Sequence, residues 1–316
     1  MNVAVLSGGV GGARFVRGLV DAVDPAGVTV FGNVGDDLEV LGLHVSPDLD
    51  SILYALADLN DEQRGWGRAG ETWNALETVE RLGGEAWFKL GDRDLGLHLV
   101  RTETLRRGEP LSAVTRRLAE ALGIGATVIP ATDDHLRTWI RTAAGELTFQ
   151  DWFVRRGHRD EVDGVRYEGA EDARAAPGVL DALEGADLIL IAPSNPYVSI
   201  GPVLAVQEIR EAIHARRVPC VAVSPLIGGR AVKGPADRML SRLQGGTDPV
   251  QVTQCYKGLV DALVLDEADA DGAAAVEEAG VRPIVTRTLM TDARARRALA
   301  DAALSAAAVA GAGQRR

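Results

Sequence analysis

Four short segments carry residues whose types and spacing could do chemistry. The first, Ser7-Gly8-Gly9-Val10-Gly11-Gly12-Ala13-Arg14, joins an apolar run, Val3 to Leu6, to a helix-period stretch, Ala13 to Val23. Glycines at such a junction let backbone approach a ligand. The start of the helix also offers free N–H groups and the positive end of its dipole to an anion. The segment is not a dinucleotide fingerprint, because Arg14 stands at the third glycine position counted from Gly9. It is not a P-loop either, because no Gly-Lys-Ser/Thr follows. A tight strand-to-helix turn that needs small residues for packing is the other account of the same glycines.

The second segment is Asn33-Val34-Gly35-Asp36-Asp37, just past the apolar run Val28 to Phe31, followed by Ser46-Pro47-Asp48-Leu49-Asp50. Ligands of open α/β sheets collect at the carboxyl ends of strands, where the first half of this group lies. Several carboxylates close together repel unless protons or a cation relieve them. Mg²⁺ is a natural partner, held by one or two carboxylates with water and substrate phosphates completing its shell. The second half has an alternative use: Ser46 as helix cap, Pro47 at the first helical position, and Asp48 and Asp50 complementing the dipole of a helix over Ser51 to Leu59. A nicotinamide enzyme would place an acid at the end of the second strand, where this chain has Asn33.

The third group is Arg64-Gly65-Trp66-Gly67, Glu71-Thr72-Trp73-Asn74 and Lys89-Leu90-Gly91-Asp92-Arg93-Asp94. Indoles interleaved with polar side chains suit a slot for a flat heterocycle, and they equally suit the core of a small helical subdomain. The fourth group consists of two loops after late apolar runs, Pro193-Ser194-Asn195-Pro196 through Ser199-Ile200-Gly201, and Ser224-Pro225-Leu226-Ile227-Gly228-Gly229-Arg230 through Lys233. Both are shaped by Pro and Gly at the ligand edge, and Arg230 or Lys233 would bring local positive charge. Ordinary strand-to-helix connections would look the same. The five histidines fall in no HxxxH or HxH spacing, no GxSxG elbow occurs, and neither cysteine has a partner His in sequence. Zinc chemistry and covalent acyl transfer are therefore unsupported.

The elements that position these groups follow from patterning. Strand candidates at Val3 to Leu6, Val28 to Phe31, Thr127 to Ile129, Leu188 to Ile191, Val218 to Val223, Ala262 to Leu265 and Pro283 to Val285 are mostly apolar throughout rather than alternating. Helix-period segments such as Val203 to Ala215 lie between them, which predicts a doubly wound, Rossmann-like α/β fold around a parallel sheet. All five tryptophans lie between Leu56 and Pro177, where strand signals are sparse. The expected organisation is an α/β core from 1–55 and 178–316, with a mostly helical insertion over 56–177. An Ala-rich C-terminal helix is expected over Asp292 to Ala310, with the final Gly-Gln-Arg-Arg frayed. With 34 Lys+Arg against 45 Asp+Glu, the net charge of −11 argues against a nucleic-acid partner. Two cysteines cannot build a disulfide framework, and no signal peptide or membrane-length apolar run occurs, so a cytoplasmic protein is expected.

In combination, LSGGVGGARF, GNVGDD, SPDLDS, RGWG, ETWN, LGDRDL, APSNP and SPLIGG, in this order along most of the chain, closely resemble the 2-phospho-L-lactate transferase family of coenzyme F-420 biosynthesis, called phosphoenolpyruvate transferase in actinobacteria. The resemblance implies Mg²⁺-dependent transfer of a phosphoenolpyruvyl or 2-phospho-L-lactyl group from a guanosine diphosphate conjugate to the ribityl hydroxyl of the deazaflavin Fo, with release of GMP. It implies catalytic, Mg²⁺-holding roles for Asp36 and Asp50, with Asp37 and Asp48 in support. Donor binding would fall to Gly9, Gly11, Gly12, Asn33, Ser194, Asn195, Ser199, Gly201 and Lys233, and deazaflavin binding to Trp66, Trp73, Asn74, Asp92 and Arg93. A homodimer is implied by analogy. The Gly-Gly-Val-Gly-Gly-Ala-Arg opening resembles the bacterial branch and favours the enolpyruvyl donor. Two other classes remain: a sugar-nucleotide-binding regulator of similar fold, which resembles the chain at the glycine turn but lacks the RGWG, ETWN and GDRDL segments, and a generic Rossmann oxidoreductase.

Overall fold

A computed structural model describes residues 1–310, with side chains to 307; the frayed terminus expected at Gly313 to Arg316 lies outside the described residues. Seven parallel strands form the central sheet: β1 (Val3–Ser7), β2 (Val28–Gly32), β3 (Thr127–Pro130), β4 (Leu188–Ile191), β5 (Cys220–Val223), β6 (Ala262–Asp266) and β7 (Arg282–Thr286). Their order is β7-β6-β5-β4-β1-β2-β3, so the chain builds outward from β1 on one side and then from β4 on the other. Val3 sits opposite Val28 on one flank and Leu188 on the other. β1, β4, β5 and β6 are buried at every residue, as strands covered on both faces must be, which is why they read as apolar runs. Pro283 is tolerated because β7 is an edge strand.

Helix α1 (Gly9–Ala22) starts within the glycine turn, four residues earlier than its apolar period suggests. It packs against α2 (Pro47–Leu56) and against the C-terminal helix Ala293–Ala310. The helix expected over Val203 to Ala215 is broken at Val206 into Gly201–Ala205 and Gln207–His214. Helices account for the first half of segment 56–177, in α3 (Asn74–Arg81), α4 (Asp92–Arg106) and Leu111–Ala121. Beyond them the chain departs from the helical expectation. β3 returns to the edge of the central sheet, and Arg137–Thr142, Gly145–Thr148 and Gly164–Glu168 form a three-stranded antiparallel sheet. Its central strand buries Thr138, Ile140 and Thr142 on one face, an alternation that two threonines keep from looking apolar. No helix among the described residues is long and apolar enough to cross a membrane.

Candidate active site

The strand order reverses between β1 and β4, which is where the ligand crevice of a doubly wound sheet lies, beyond the carboxyl ends of the strands. The glycine turn leaves β1 there, and the Pro193–Gly201 loop leaves β4. The glycines are demanded first by protein packing. A Cβ on Gly11 would lie 2.9 Å from the Pro193 carbonyl oxygen, and one on Gly12 would lie 2.5 Å from both Ser7 Oγ and Ser194 Oγ. Ser194 Oγ in turn donates to the Gly8 carbonyl at 2.7 Å. Gly9, with φ of +66°, has only Ser199 Oγ within reach of its absent side chain, at 3.5 Å, and is the position that exposes helix-start backbone to the crevice. Ser7 Oγ is buried beneath this turn without a hydrogen-bond partner.

The carboxylates expected to gather at the site do so, but with unequal partners. Asp37 Oδ2 accepts from Ser46 Oγ at 2.7 Å and lies 3.1 Å from His44 Nε2. Asp50 is gripped by Arg101 through both terminal guanidinium nitrogens, the Nη1 contact being 3.1 Å, and its Oδ2 lies 3.8 Å from His98 Nδ1. Asp48 has only neutral donors: Asn33 Nδ2 at 2.9 Å and the Gly9 N–H at the start of α1. Asp36 is buried with its Oδ1 unpartnered. Desolvation by burial, and then the charge of Asp48, drive the Asp36 carboxyl well above the usual carboxylate range. Asp48 is pushed up to about 6, by desolvation first and the nearby Asp37 and Asp50 charges after it, against the opposing pull of its two donors. Asp36 and Asp48 thus have no basic side chain bonded to them, whereas Asp37, also raised by burial, has His44 beside it and the expected partner Asp50 has Arg101.

α2 and α4 make this arrangement. Pro47 begins α2 as expected, yet the Ser46 hydroxyl is turned to Asp37 and makes no cap hydrogen bond. Asp48 and Asp50 fall in the first turn of α2. Asp94, His98 and Arg101, spaced at i, i+4 and i+7, share the inward face of α4. Tyr54 donates to Asp94 Oδ1, and the same oxygen lies 3.4 Å from His98 Nε2. Burial opposes ionisation of Asp94, but His98 and Tyr54 outweigh it and hold its carboxyl below its ordinary value. Arg101 and His98 are buried completely or nearly so. No short motif marks either residue; the sequence signal for them is the same-face spacing from Asp94.

Several expected ligand residues have structural partners. Asn33 Oδ1 accepts from the Gly35 N–H at 2.8 Å, while its Nδ2 serves Asp48 and the Val198 carbonyl at 3.0 Å. It therefore ties the aspartate turn, α2 and the Ser194–Gly201 loop together. Asn195 Oδ1 caps the turn Pro196–Ile200 by accepting from Tyr197 N at 2.9 Å. A Cβ on Gly201 would collide with the Tyr167 hydroxyl. Asp269 accepts from the N–H groups of Gly228 and Gly229 at 3.0 and 2.8 Å, shaping the loop that carries Arg230 and Lys233. Lys233 Nζ crosses to the insertion and donates to the Gly65 carbonyl at 3.3 Å. Arg14 is held by the Met290 carbonyl at 2.7 Å.

The tryptophans divide between slot and core. Trp152 is fully buried in a cluster with Ile140 and Phe149. Trp66 remains 44% exposed, 6.4 Å from Trp73 between ring centroids. Asp92 accepts from Thr72 Oγ1, Asn74 Nδ2 and the N–H groups of Asn74 and Ala75, while Glu71 accepts from the N–H groups of Arg93 and Asp94. The two carboxylates thereby cap the starts of α3 and α4. Those donors hold Asp92 down at about 2, the Thr72 hydroxyl foremost. Asn74 and Asp92 therefore bind each other, and the indoles, with the Arg64 guanidinium lodged against both, are left as the surfaces to meet a ring. A narrow crevice of about 30 Å³ separates Val10 and Ala13 of α1 from Tyr54, Asp61 and Trp66.

Among the described residues no group of three or more His, Cys, Asp or Glu is placed to hold a metal ion. The pair of cation-free carboxylates with an unpartnered oxygen does fit Mg²⁺, which binds few protein ligands and leaves positions for water and phosphate.

A family model described as 2-phospho-L-lactate transferase CofD matches residues 3–300. Phosphoenolpyruvate transferase of Streptomyces coelicolor is 44% identical over 313 residues, covering 97% of this chain and 98% of its own. The protein of the same description from Streptomyces griseus is 43% identical with the same coverage, and that from Mycolicibacterium smegmatis is 38% identical over 98% of this chain and 99% of its own. A crystal structure of a UPF0052 family member from Bacillus halodurans superposes with a TM-score of 0.63 at 20% identity, covering 96% of this chain and 98% of that one, which speaks for the fold.

Proposed function

The chain belongs to the 2-phospho-L-lactate transferase CofD family, the phosphoenolpyruvate/2-phospho-lactate transferases of coenzyme F-420 biosynthesis, and on that premise we propose that it moves a phosphoenolpyruvyl group from a guanosine diphosphate conjugate to the ribityl hydroxyl of Fo, releasing GMP. The enolpyruvyl donor is chosen over the lactyl one because the relatives at 38 to 44% identity are called phosphoenolpyruvate transferases. The observation that carries the reading is the Asp36–Asp48 pair. Two desolvated carboxylates without a cation stand beside a helix start at the strand-order reversal, an arrangement unfavourable until a cation enters. Asp36 and Asp48 would hold Mg²⁺, and Asp50, locked to Arg101, would add its charge from behind. The ion supplies charge neutralisation across the diphosphate, the main requirement of such a transfer.

The chain's own groups do the positioning. With the Gly9 N–H given to Asp48, the N–H groups that follow it in the first turn of α1 receive phosphate, and Asn33 keeps Asp48 and the β4 loop in register. The Ser194–Gly201 and Ser224–Lys233 loops frame the guanosine end. Trp66 and Trp73 offer the face on which the deazaflavin ring stacks. The narrow crevice between α1 and Trp66 is where the ribityl hydroxyl approaches phosphorus, and it requires the Asp61–Gly67 loop to yield on binding. The same reading makes the protein a cytoplasmic homodimer, to be checked by sedimentation. Incubation with Fo, Mg²⁺ and each synthetic conjugate, with products read by mass spectrometry, tests the function. Dehydro coenzyme F-420-0 and GMP are expected, faster from the enolpyruvyl donor. No product from either donor refutes the reading, and a preference for the lactyl donor refutes the choice of group alone.

A further inference from the structure

Arg64 is not among the residues that the resemblance assigns a role, yet its surroundings are built. Its guanidinium carbon lies 5.0 Å from the ring centroid of Trp66 and 5.0 Å from that of Trp73, so it sits in the notch between the two indoles. Asp61 fixes it from behind: Oδ2 pairs with Nη2 at 3.0 Å and Oδ1 accepts from the Arg64 N–H at 2.8 Å. With the plane held by two rings and one carboxylate, Nη1 is left buried and without a hydrogen-bond partner. A purely structural arginine at a half-buried position would turn its spare nitrogen to water. A buried donor left without a partner is unfavourable and implies an acceptor that arrives with a ligand.

The other charged groups near this crevice have partners in the protein, although Arg14 keeps a buried Nε without one. Glu62 pairs with Arg296 at 2.5 Å, Arg14 with the Met290 carbonyl, and Lys233 with the Gly65 carbonyl. Arg64 is the one of these that lies against the indoles, so its Nη1 is the unpartnered donor placed at the edge of a ring stacked on Trp66. A guanidinium favours an anionic oxygen over a neutral one. Fo carries one group able to become such an oxygen, its ring hydroxyl, which is conjugated through the ring system to a carbonyl and behaves as a vinylogous acid.

We propose that Arg64 recognises the ionised ring hydroxyl of the deazaflavin through Nη1, so that the enzyme selects 8-hydroxylated acceptors and binds them as the anion, the proton going to solvent. This rests on the proposed function and specifies how that site reads its acceptor. The test is an absorbance titration of Fo bound to the protein without donor, comparing wild type with Arg64→Lys and Arg64→Met. In wild type the bound hydroxyl is expected to ionise at least about one pH unit below free Fo, a tenfold preference for the anion. Arg64→Met should abolish that shift, Arg64→Lys should keep part of it, and both should bind the guanosine donor as wild type does. Fo that binds wild type with unshifted ionisation overturns the inference, as does a shift that survives in Arg64→Met. The wild-type measurement decides by itself should Arg64→Met not fold. Fo that does not bind at all overturns this inference and the proposed function together.

Discussion

Replacing Asp48 by Asn should stabilise the metal-free protein, a sign opposite to that of most buried substitutions. The carboxyl is held at about 6 against an ordinary 3.8, chiefly because burial strips it of water. Below about pH 4 both folded and unfolded chains carry the proton and nothing is lost. Between about pH 4 and 6 the unfolded chain releases it while the folded chain retains it, so stability falls as pH rises through that window and stays lower above it. The difference corresponds to about 3 kcal/mol at neutral pH. Asn keeps an amide oxygen for the Asn33 and Gly9 donors and removes the charge. For a chain of this length, with an unfolding entropy of roughly 0.66 kcal/mol/K, the variant should melt about 4–5 °C above wild type at pH 7.5 in EDTA. Near pH 4 the two should coincide. Saturating Mg²⁺ should raise the wild-type melting temperature and move the variant much less, and turnover in the variant should drop by about a hundredfold or more. The assay is differential scanning fluorimetry across pH with and without Mg²⁺. A variant less stable than wild type at pH 7.5 in EDTA would show that the Asp48 charge is well accommodated, and the metal argument built on it would fail.

Other substitutions separate the neighbouring groups. Arg101→Met should destabilise by about 3–5 kcal/mol by leaving Asp50 buried and unpaired, and adding Asp50→Asn should recover much of the loss; a single and a double variant of equal stability in denaturant melts would contradict the pairing. Gly11→Val should lower the melting temperature and donor affinity together, since its side chain meets the Pro193 carbonyl; unchanged stability would mean the turn has more room than the structure shows. Trp73→Leu should weaken Fo binding while sparing the guanosine donor, because Trp73 is only half buried beside Trp66; equal losses for both ligands in titration calorimetry would make it a core residue.

What could be read from sequence follows the range over which each feature is encoded. The central sheet was legible because its inner strands β1, β4, β5 and β6 are buried on both faces and announce themselves within four or five residues, as Leu188–Ile191 does. The antiparallel sheet around Arg137–Thr142 was not: its buried positions alternate but two are threonine, and its outward Trp139 and Arg141 erase the contrast that alternation needs. At the site, the glycine turn and the aspartate cluster are local motifs, and their gathering at the β1–β4 reversal follows from strand order. Which aspartate keeps its charge uncompensated is a long-range fact. It depends on α4 laying Arg101 against Asp50 across 51 residues of chain, while Asn33 reaches Asp48 across 15.

The two helix starts show why residue type alone could not sort ligand from scaffold. Asp48 and Asp92 are both carboxylates at the beginning of a helix, and both accept backbone N–H groups. Asp92 has four donors at the surface and is held at about 2, as a capping residue is. Asp48 has two donors in a buried site and is held at about 6. The same motif thus gives a settled charge where water and hydrogen bonds are plentiful, and an unsettled one where burial and like charges outweigh them. An unsettled carboxylate costs folding free energy, and a cation with a phosphorylated ligand would offset that cost at the moment of binding, coupling stability to donor occupancy. The Asp36–Asp48 pair is therefore where metal and donor should stabilise the fold jointly and most strongly, and Asp92 is where neither should matter.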